Sequence, residues 1–135
     1  MTDYPLAIAI ANKFHAGQMY GKNPYSFHLE AVAKSCAEEN DDRLPVVAWL
    51  HDILEDTDCK EEFLRAIFDK DIVDAVVAIS KKDGEPYEFY IDRVKANSLA
   101  LRVKLHDSLC NLRESLLRSD MKRVRKYSKQ IGLLA

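Results

Sequence analysis

The sequence has few of the features that mark specialised classes of protein. It contains only three cysteines, and their odd number and wide spacing argue against a disulfide framework or a thiolate zinc site. No apolar run is long enough to span a membrane, and the first residues show no charged segment followed by an apolar one. We therefore expect a soluble protein of the reducing cytoplasm with no membrane partner.

The charge balance excludes a protein whose whole surface attracts duplex nucleic acid. There are 20 Lys and Arg residues against 22 Asp and Glu residues, which gives a net charge of −2 at pH 7. Such a chain has no global positive field, although local basic patches can still occur. With 135 residues, 47% of them hydrophobic, we expect a single compact domain over residues 1–135.

No segment alternates convincingly between apolar and polar residues as a half-buried β-strand would. Apolar residues instead recur with helical spacing between turn-forming segments, which predicts an all-α fold without internal repeats. Pro45 suits the first turn of the third helix, and Asn97 suits a helix cap. The predicted helices cover about residues 3–16, 28–40, 45–57, 60–68, 70–80, 87–95, 98–112 and 120–134.

The segment Ala48–Thr57 is the most informative part of the chain. An apolar run leads into His51, so the helix that carries it should be buried. In a continuous helix His51 and Glu55 share one face, while Asp52 and Asp56 share the adjacent face. Buried imidazole and carboxylate groups need a cation or a dense set of hydrogen bonds to offset desolvation. The segment therefore predicts a catalytic metal site, with a hydrogen-bonded histidine at an acidic helix end as the alternative.

Two more residues are candidates for the same site. Asp107 lies in the unexpectedly apolar segment Val103–Leu109, and His28 lies at the beginning of a predicted helix. Mixed imidazole and carboxylate ligands suit Mn²⁺, Fe²⁺, Co²⁺, Ni²⁺ or Zn²⁺ rather than an ion that prefers thiols. Spacing alone would not select these residues.

Four segments of the chain carry a resemblance to a known family. In chain order they are Phe14–Gln18, Pro24–His28, Leu50–Thr57 and Val103–Leu112. They resemble the HD-domain metal-dependent phosphohydrolases, whose signature is a His, then an adjacent His-Asp pair, then a distant Asp. More narrowly, the chain is similar to the hydrolase half of the RelA/SpoT alarmone enzymes and to their small stand-alone relatives, over about residues 4–113. The extended H-D-x-x-E-D-T string makes the resemblance specific.

The resemblance implies a single HD-domain helical bundle with a metal site between helices. Glu55 and Asp56 match the acidic pair that positions and activates the attacking water, and Asn111 matches a nucleotide-contacting position. Mn²⁺ is the expected ion, with another divalent transition metal as the alternative. The implied metal ligands are two imidazoles and two carboxylates: His28, His51, Asp52 and Asp107.

The reaction implied by the resemblance is removal of the 3′-pyrophosphate from (p)ppGpp-like nucleotides, which gives GDP or GTP and pyrophosphate. An HD phosphohydrolase acting on an adenine alarmone or another phosphorylated nucleotide is one alternative. A non-catalytic module that binds a nucleotide or a protein partner is another. The expected partner is a small-molecule nucleotide, and a homo-oligomer is also compatible with the sequence.

The loop after Gln18 departs from the family pattern. The alarmone hydrolases usually carry a basic pair there that packs against the base, whereas this chain has Met-Tyr-Gly-Lys. Tyr20 offers a ring for stacking on a base, and Lys22 offers a charge for a phosphate. His15 either approaches the substrate or caps the first helix, and Lys104 is long enough to reach toward a phosphate.

Three other polar features have ordinary structural interpretations. His106 replaces the alanine that commonly precedes the distant Asp, and we predict that it packs facing away from the metal. Lys81 and Lys82 are expected to be solvated loop residues, with phosphate binding as the alternative. The basic last helix is expected to cover the core rather than to contact nucleotide or a second subunit.

Overall fold

The computed structural model describes residues 3–135, and within that range it contains nine helices and one small hairpin. The all-α prediction is confirmed. In chain order the elements are α1 (Asp3–Phe14), β1 (Met19–Tyr20), β2 (Asn23–Pro24), α2 (Ser26–Cys36), α3 (Arg43–Leu50), α4 (Ile53–Asp56), α5 (Glu61–Arg65), α6 (Lys70–Ile79), α7 (Tyr87–Lys95), α8 (Ser98–Leu117) and α9 (Met121–Leu134).

The hairpin is the one departure from an all-helical chain among the described residues. Met19 pairs with Pro24 and Tyr20 with Asn23 in an antiparallel arrangement. Each strand has two residues, which is too short for an alternating pattern to be visible in the sequence. Gly21 in the connecting turn has φ of 61°, and a Cβ atom there would clash with the Arg118 guanidinium. Only glycine fits this turn without strain.

Helix α3 lies at the centre of the bundle, where it packs against α1, α2, α6 and α8. Six of its eight residues are buried, as its continuous apolar sequence predicts. Pro45 occupies its first turn, where a missing amide proton costs no hydrogen bond. None of the helices between residues 3 and 135 is long and apolar enough to cross a membrane.

The predicted helix over residues 45–57 is interrupted at the His-Asp pair. Helix α3 ends at Leu50, α4 begins at Ile53, and Asp52 between them has φ of −103° and ψ of 0°. The cause is local: the His51 ring donates from Nδ1 to the Ala48 carbonyl at 2.6 Å. In a continuous α-helix that carbonyl would accept from the Asp52 amide. The prediction of one continuous helix through Asp56 was therefore wrong.

Helix α8 follows the predicted Asn97 cap, whose Oδ1 accepts from the Ala100 amide at 3.0 Å. It runs for 20 residues to Leu117, further than its apolar pattern indicated. Asp120 caps α9 by accepting from the Arg123 amide at 3.2 Å. Met121, the first residue of α9, is exposed, whereas Leu134 near its end is buried in the core.

We expect Leu44→Ala to destabilise the protein by about 2–5 kcal/mol, because Leu44 is fully buried in α3 and truncation leaves a cavity. The matched control is Leu117→Ala, since Leu117 is 72% exposed and its truncation should change stability by about 0.5 kcal/mol or less. Urea unfolding monitored by circular dichroism measures both. Equal effects of the two substitutions would contradict the central position of α3.

Candidate metal centre and active site

Three of the four predicted ligands converge at one buried point. One ligand atom each from His28, His51 and Asp107 lies within 4.8 Å of the others. The three side chains come from the first turn of α2, from the break after α3 and from the middle of α8. His28 Nε2 is 2.8 Å from Asp107 Oδ1, and His51 Nε2 is 3.4 Å from the same oxygen. The predicted metal site between helices therefore forms from distant parts of the chain.

The backbone fixes which nitrogen of His51 faces the site. The Ala48 carbonyl can only accept a hydrogen bond, so His51 Nδ1 carries the proton. In the neutral ring, Nε2 then presents its lone pair to the cluster. This nitrogen is buried and has no hydrogen-bond partner among the described residues. A buried ring nitrogen without a partner is costly, and a bound cation would satisfy it in the neutral ring.

Asp52 lies beside this group of three rather than within it. Its Oδ2 is 3.2 Å from His51 Nε2, and the same oxygen accepts a short hydrogen bond from the Tyr25 hydroxyl. Burial raises the pKa of Asp52, but the neighbouring His51 outweighs burial and holds it at about 2. Asp52 is therefore an anion next to the cluster, and its direct ligation of a metal stays a prediction.

The surrounding charges favour a cation at this point. Burial lowers the pKa of His51, yet the carboxylates of Asp52 and Asp107 outweigh burial and raise it well above its usual value. The pKa of Asp107 is depressed despite complete burial, because Lys104 and His51 stabilise the charged form. Two imidazoles and buried carboxylate oxygens are a donor set that suits a divalent transition metal.

A cavity of about 310 Å³ opens above the cluster. His28, Asp52 and Asp107 contribute to its floor, and Glu55 and Asp56 also line it. The remaining wall is rich in cationic, aromatic and amide groups: Lys81, Lys104, Arg123, Lys126, Tyr20, Tyr25, Tyr87, Tyr90, Tyr127, Asn111 and Gln130. A polar cavity with acidic groups next to several cations suits a phosphorylated ligand.

The predicted catalytic acids are held by different partners. Glu55 Oε1 accepts from the Lys81 backbone amide at 2.8 Å, and Asp56 Oδ2 accepts from Gln18 Nε2 at 3.1 Å. Partial desolvation raises the pKa of Glu55, while the Lys81 hydrogen bond opposes the shift. A carboxylate with a raised pKa that faces a cavity is suited to general base chemistry.

Three of the predicted substrate contacts line the cavity, but each already has a protein partner. Asn111 Nδ2 donates to Asp107 Oδ1 at 3.1 Å, and its Oδ1 accepts from the Tyr20 hydroxyl at 2.7 Å. Tyr20 is only 8% exposed and stacks on the His28 ring at 4.6 Å. Lys104 Nζ is 3.1 Å from Asp107 Oδ2. The ring that the sequence offered for stacking on a base is therefore already packed on His28.

The other two predicted substrate contacts, Lys22 and His15, are not in the wall of this cavity as formed by residues 3–135. Lys22 is exposed on the hairpin, and His15 is buried against Tyr25. Their contacts with substrate stay predictions. His106 lies as predicted, facing away from the metal centre, since its ring nitrogens bond Ser35 Oγ at 2.6 Å and a carboxylate oxygen of Glu39.

Sequence reasoning missed the contribution of α9 to the site. Arg123, Lys126, Tyr127 and Gln130 line the cavity, whereas we had favoured core coverage for this helix over its alternative of contact with nucleotide. Their spacing of three and four residues places them along one stripe of a helix, and that stripe was readable in the sequence. Nothing in the sequence indicated that the stripe would face the metal centre.

No protein-family model matches the chain. The chain is 38% identical over 81 residues to a Mycoplasma pneumoniae protein named probable guanosine-3′,5′-bis(diphosphate) 3′-pyrophosphohydrolase, which covers 58% of this chain and 11% of that protein. It is 30% identical over 140 aligned positions to a probable GTP pyrophosphokinase of Mycobacterium leprae, covering 96% of this chain and 18% of that protein. The chain thus spans less than a fifth of either relative.

A solved structure has the same fold. It is described as a metazoan ortholog of SpoT that hydrolyses ppGpp and plays a role in starvation responses. The TM-score is 0.82 at 22% sequence identity, and the alignment covers 99% of this chain and 86% of the other. The helical bundle of this chain, which holds the buried His and Asp cluster, therefore has the fold of that structure. Together the sequence and structure comparisons support a RelA/SpoT-type HD hydrolase domain, as the sequence motifs predicted.

The buried cluster predicts that a divalent metal will stabilise the folded protein. At a free concentration of 100 times the Kd, Mn²⁺ should add about 2.7 kcal/mol, because only the folded state assembles the ligands. His51→Ala should abolish this shift, whereas His106→Ala should keep it, since His106 faces away from the cluster. Thermal unfolding with and without metal measures the effect. Equal shifts in both variants would contradict the assigned site.

Proposed function

We propose that the protein is a metal-dependent hydrolase that removes the 3′-pyrophosphate from (p)ppGpp-like alarmone nucleotides, with Mn²⁺ as its ion. The observation that carries the proposal is the convergence of His28, His51 and Asp107 beneath a cavity that also holds two acids and several cations. The names of the Mycoplasma relative and of the metazoan structure support the choice of substrate.

In this proposal His28, His51 and Asp107 hold the metal, and Asp52 completes the ligand set. A bound divalent cation would neutralise phosphate oxygens and lower the pKa of a water molecule. Tyr25 holds Asp52 through its hydroxyl, and Asn111 holds Asp107 through its amide. These contacts orient both carboxylates before substrate arrives, which reduces the reorganisation needed during the reaction.

Glu55 and Asp56 supply the acid–base chemistry of the proposed reaction. Glu55 takes a proton from the water that attacks the phosphorus next to the ribose 3′-oxygen, and Asp56 orients that water. The bond between this phosphorus and the 3′-oxygen breaks and a proton from solvent goes to that oxygen, so the products are the 3′-hydroxyl nucleotide and pyrophosphate, and Glu55 then returns its proton to solvent. The Lys81 amide keeps one oxygen of Glu55 fixed during the transfer.

The cationic wall provides sites for the other phosphate groups. Lys81, Arg123 and Lys126 line the cavity, and no ion pair joins any of them to an acid within residues 3–135. These cations can bind the phosphate groups of the ligand, while the acidic residues on the cavity floor can hold the metal. Positive and negative groups of the protein therefore serve different parts of the bound complex. Lys104 differs, because its charge already balances Asp107.

Two alternatives remain as proposals of lower rank. An adenine alarmone or another phosphorylated nucleotide is favoured by the hairpin, where the family's usual basic pair is replaced and Tyr20 packs on His28 rather than presenting its face for a base. A non-catalytic module is disfavoured, because binding alone would not require Glu55 and Asp56 beside the metal cluster. A single domain over residues 1–135, a cytoplasmic location and a homo-oligomer also stay predictions.

The decisive experiment measures pyrophosphate release from guanosine and adenosine nucleotides that carry a 3′-pyrophosphate, with Mn²⁺ and with chelator. We expect Mn²⁺-dependent release from the guanosine substrate at the higher kcat/KM. Preference for the adenosine substrate would select the first alternative. Tight nucleotide binding without turnover of either substrate would select the binding module and overturn the proposal.

Replacing the proposed base tests its role directly. Glu55→Gln should lower kcat by about 10² or more, because the amide keeps the shape of the side chain but cannot accept the proton. Metal binding should persist, since Glu55 is outside the ligand group. The matched control is Glu62→Gln on the exposed surface of α5, which should leave kcat unchanged. Full activity of Glu55→Gln would remove Glu55 from the mechanism.

The proposed phosphate wall is tested by two arginines of α9. Arg123→Ala should raise KM by about tenfold or more, because the loss of a charge-assisted hydrogen bond costs about 1.5–3 kcal/mol. Arg125→Ala should have little effect, since Arg125 is exposed and outside the cavity wall. Steady-state kinetics at two salt concentrations measures both variants. A similar KM for the two would argue against α9 as a phosphate-binding element.

A further inference from the structure

A buried histidine lies behind the proposed catalytic pair and reaches it through a single glutamine. His15 is 5% exposed, and its Nδ1 is 2.7 Å from Gln18 Oε1. The other end of the Gln18 amide donates from Nε2 to Asp56 Oδ2 at 3.1 Å. The three residues therefore form a chain of two hydrogen bonds that runs from the protein interior to the edge of the cavity.

The backbone holds Gln18 in a fixed position. The backbone amide of Gln18 donates to the His15 backbone carbonyl at 2.9 Å, and the backbone carbonyl of Gln18 accepts from the Tyr25 backbone amide at 2.9 Å. Gly17, just before it, has φ of 86°, a conformation that glycine adopts without strain. The tight turn between α1 and the hairpin thus brings the side chain of Gln18 across to Asp56, 38 residues further along the chain.

The chemistry of the chain allows only one arrangement of protons. An ionised Asp56 carboxylate can only accept, so Gln18 must turn its NH₂ group toward it. The Gln18 carbonyl oxygen then faces His15, and because that oxygen can only accept, His15 Nδ1 must carry a proton. A reversed amide would place two donors or two acceptors against each other at one end.

Within residues 3–135, the hydrogen bond from Gln18 is what restrains the Asp56 side chain. Among the described residues, Gln18 is the only side chain that donates a hydrogen bond to its carboxylate, and no ion pair holds it. Asp56 is exposed on the short helix α4, so its side chain would otherwise be free to adopt several rotamers. Fixing a group that orients water is a recognised way to gain rate, because small misplacements are costly.

We propose that Gln18 is a positioning residue for Asp56, and that His15 sets the orientation of the Gln18 amide. This inference rests on the proposed function, which gives Asp56 its role in orienting the attacking water. It also supplies a reason for a buried histidine that does not line the cavity. The proposal gives His15 a role through Gln18 in place of the direct substrate contact that the sequence suggested.

Kinetics of matched variants of the metal-loaded protein test the proposal. Gln18→Ala should lower kcat by about 10- to 100-fold, with KM and metal affinity changed by about twofold or less. His15→Asn should stay close to the parent, because Asn Nδ2 can replace the donor at His Nδ1. His15→Phe keeps an aromatic ring against Tyr25 but removes the donor, so it should resemble Gln18→Ala.

A second measurement does not need turnover. Nitrogen-15 NMR of the histidine rings in the metal-free protein should find a proton on His15 Nδ1, and Asp56→Ala should shift the Gln18 side-chain NH₂ resonances. A His15 Nδ1 without a proton, or Gln18 resonances unaffected by Asp56→Ala, would overturn the proposal. These readouts stay valid if no nucleotide is hydrolysed, so they separate failure of this inference from failure of the proposed function.

The kinetic outcomes are equally decisive when turnover is observed. Gln18→Ala with kcat within about twofold of the parent would overturn the positioning role. If His15→Asn and His15→Phe both lose activity, and in each variant the loss matches a fall in melting temperature, His15 serves only in packing. That result would overturn the proposed role of His15 in orienting Gln18. A kcat close to the parent value in His15→Asn, together with a lowered kcat in His15→Phe, would support the role of His15 as a hydrogen-bond donor.

Discussion

The hydrogen bond between the His51 ring and the Ala48 carbonyl is the contact on which the metal centre depends. It lies at the end of α3, where the Ala48 carbonyl accepts from the His51 ring and from the His51 backbone amide rather than from the Asp52 amide. It also fixes the proton on Nδ1 and turns Nε2 toward His28 and Asp107. This one hydrogen bond is thus linked to the end of α3, to the tautomer of the His51 ring and to the direction of its Nε2 atom. A continuous helix would leave His51 without this restraint and would change the direction of Glu55 and Asp56.

The site separates charge in a way that suits its proposed ligands. Burying Asp107 completely is possible because Lys104 and the two histidines surround it with positive charge or hydrogen-bond donors. Lys81 and the α9 residues Arg123 and Lys126, which form no ion pair within residues 3–135, line the same cavity. A cation bound on the floor and an anion bound along the wall would each lower the desolvation cost of the other. This mutual dependence predicts that metal and polyphosphate bind cooperatively.

Much of the fold could be predicted because apolar residues recur with helical spacing between turn-forming segments, most clearly in α6 and α9. The bounds of α7 and the Asn97 cap of α8 agree with the sequence prediction. The break after Leu50 could not be predicted, since it arises from a side chain competing for a backbone carbonyl, and apolar periodicity does not record such competition. The ligand set came from family motifs, whereas the inward stripe of α9 depends on how helices pack, which a single sequence leaves open.

The hairpin joins two parts of the site, the cluster around His28 and the wall formed by α9. Tyr20 stacks on His28 with one face and gives its hydroxyl to Asn111, and the Arg123 guanidinium lies 5.9 Å from its ring centre. The Tyr20 ring therefore contacts both the residues around the proposed metal ligands and the cavity wall formed by α9. Tyr20 is committed to this packing, so a base of the proposed nucleotide substrate would have to contact other groups.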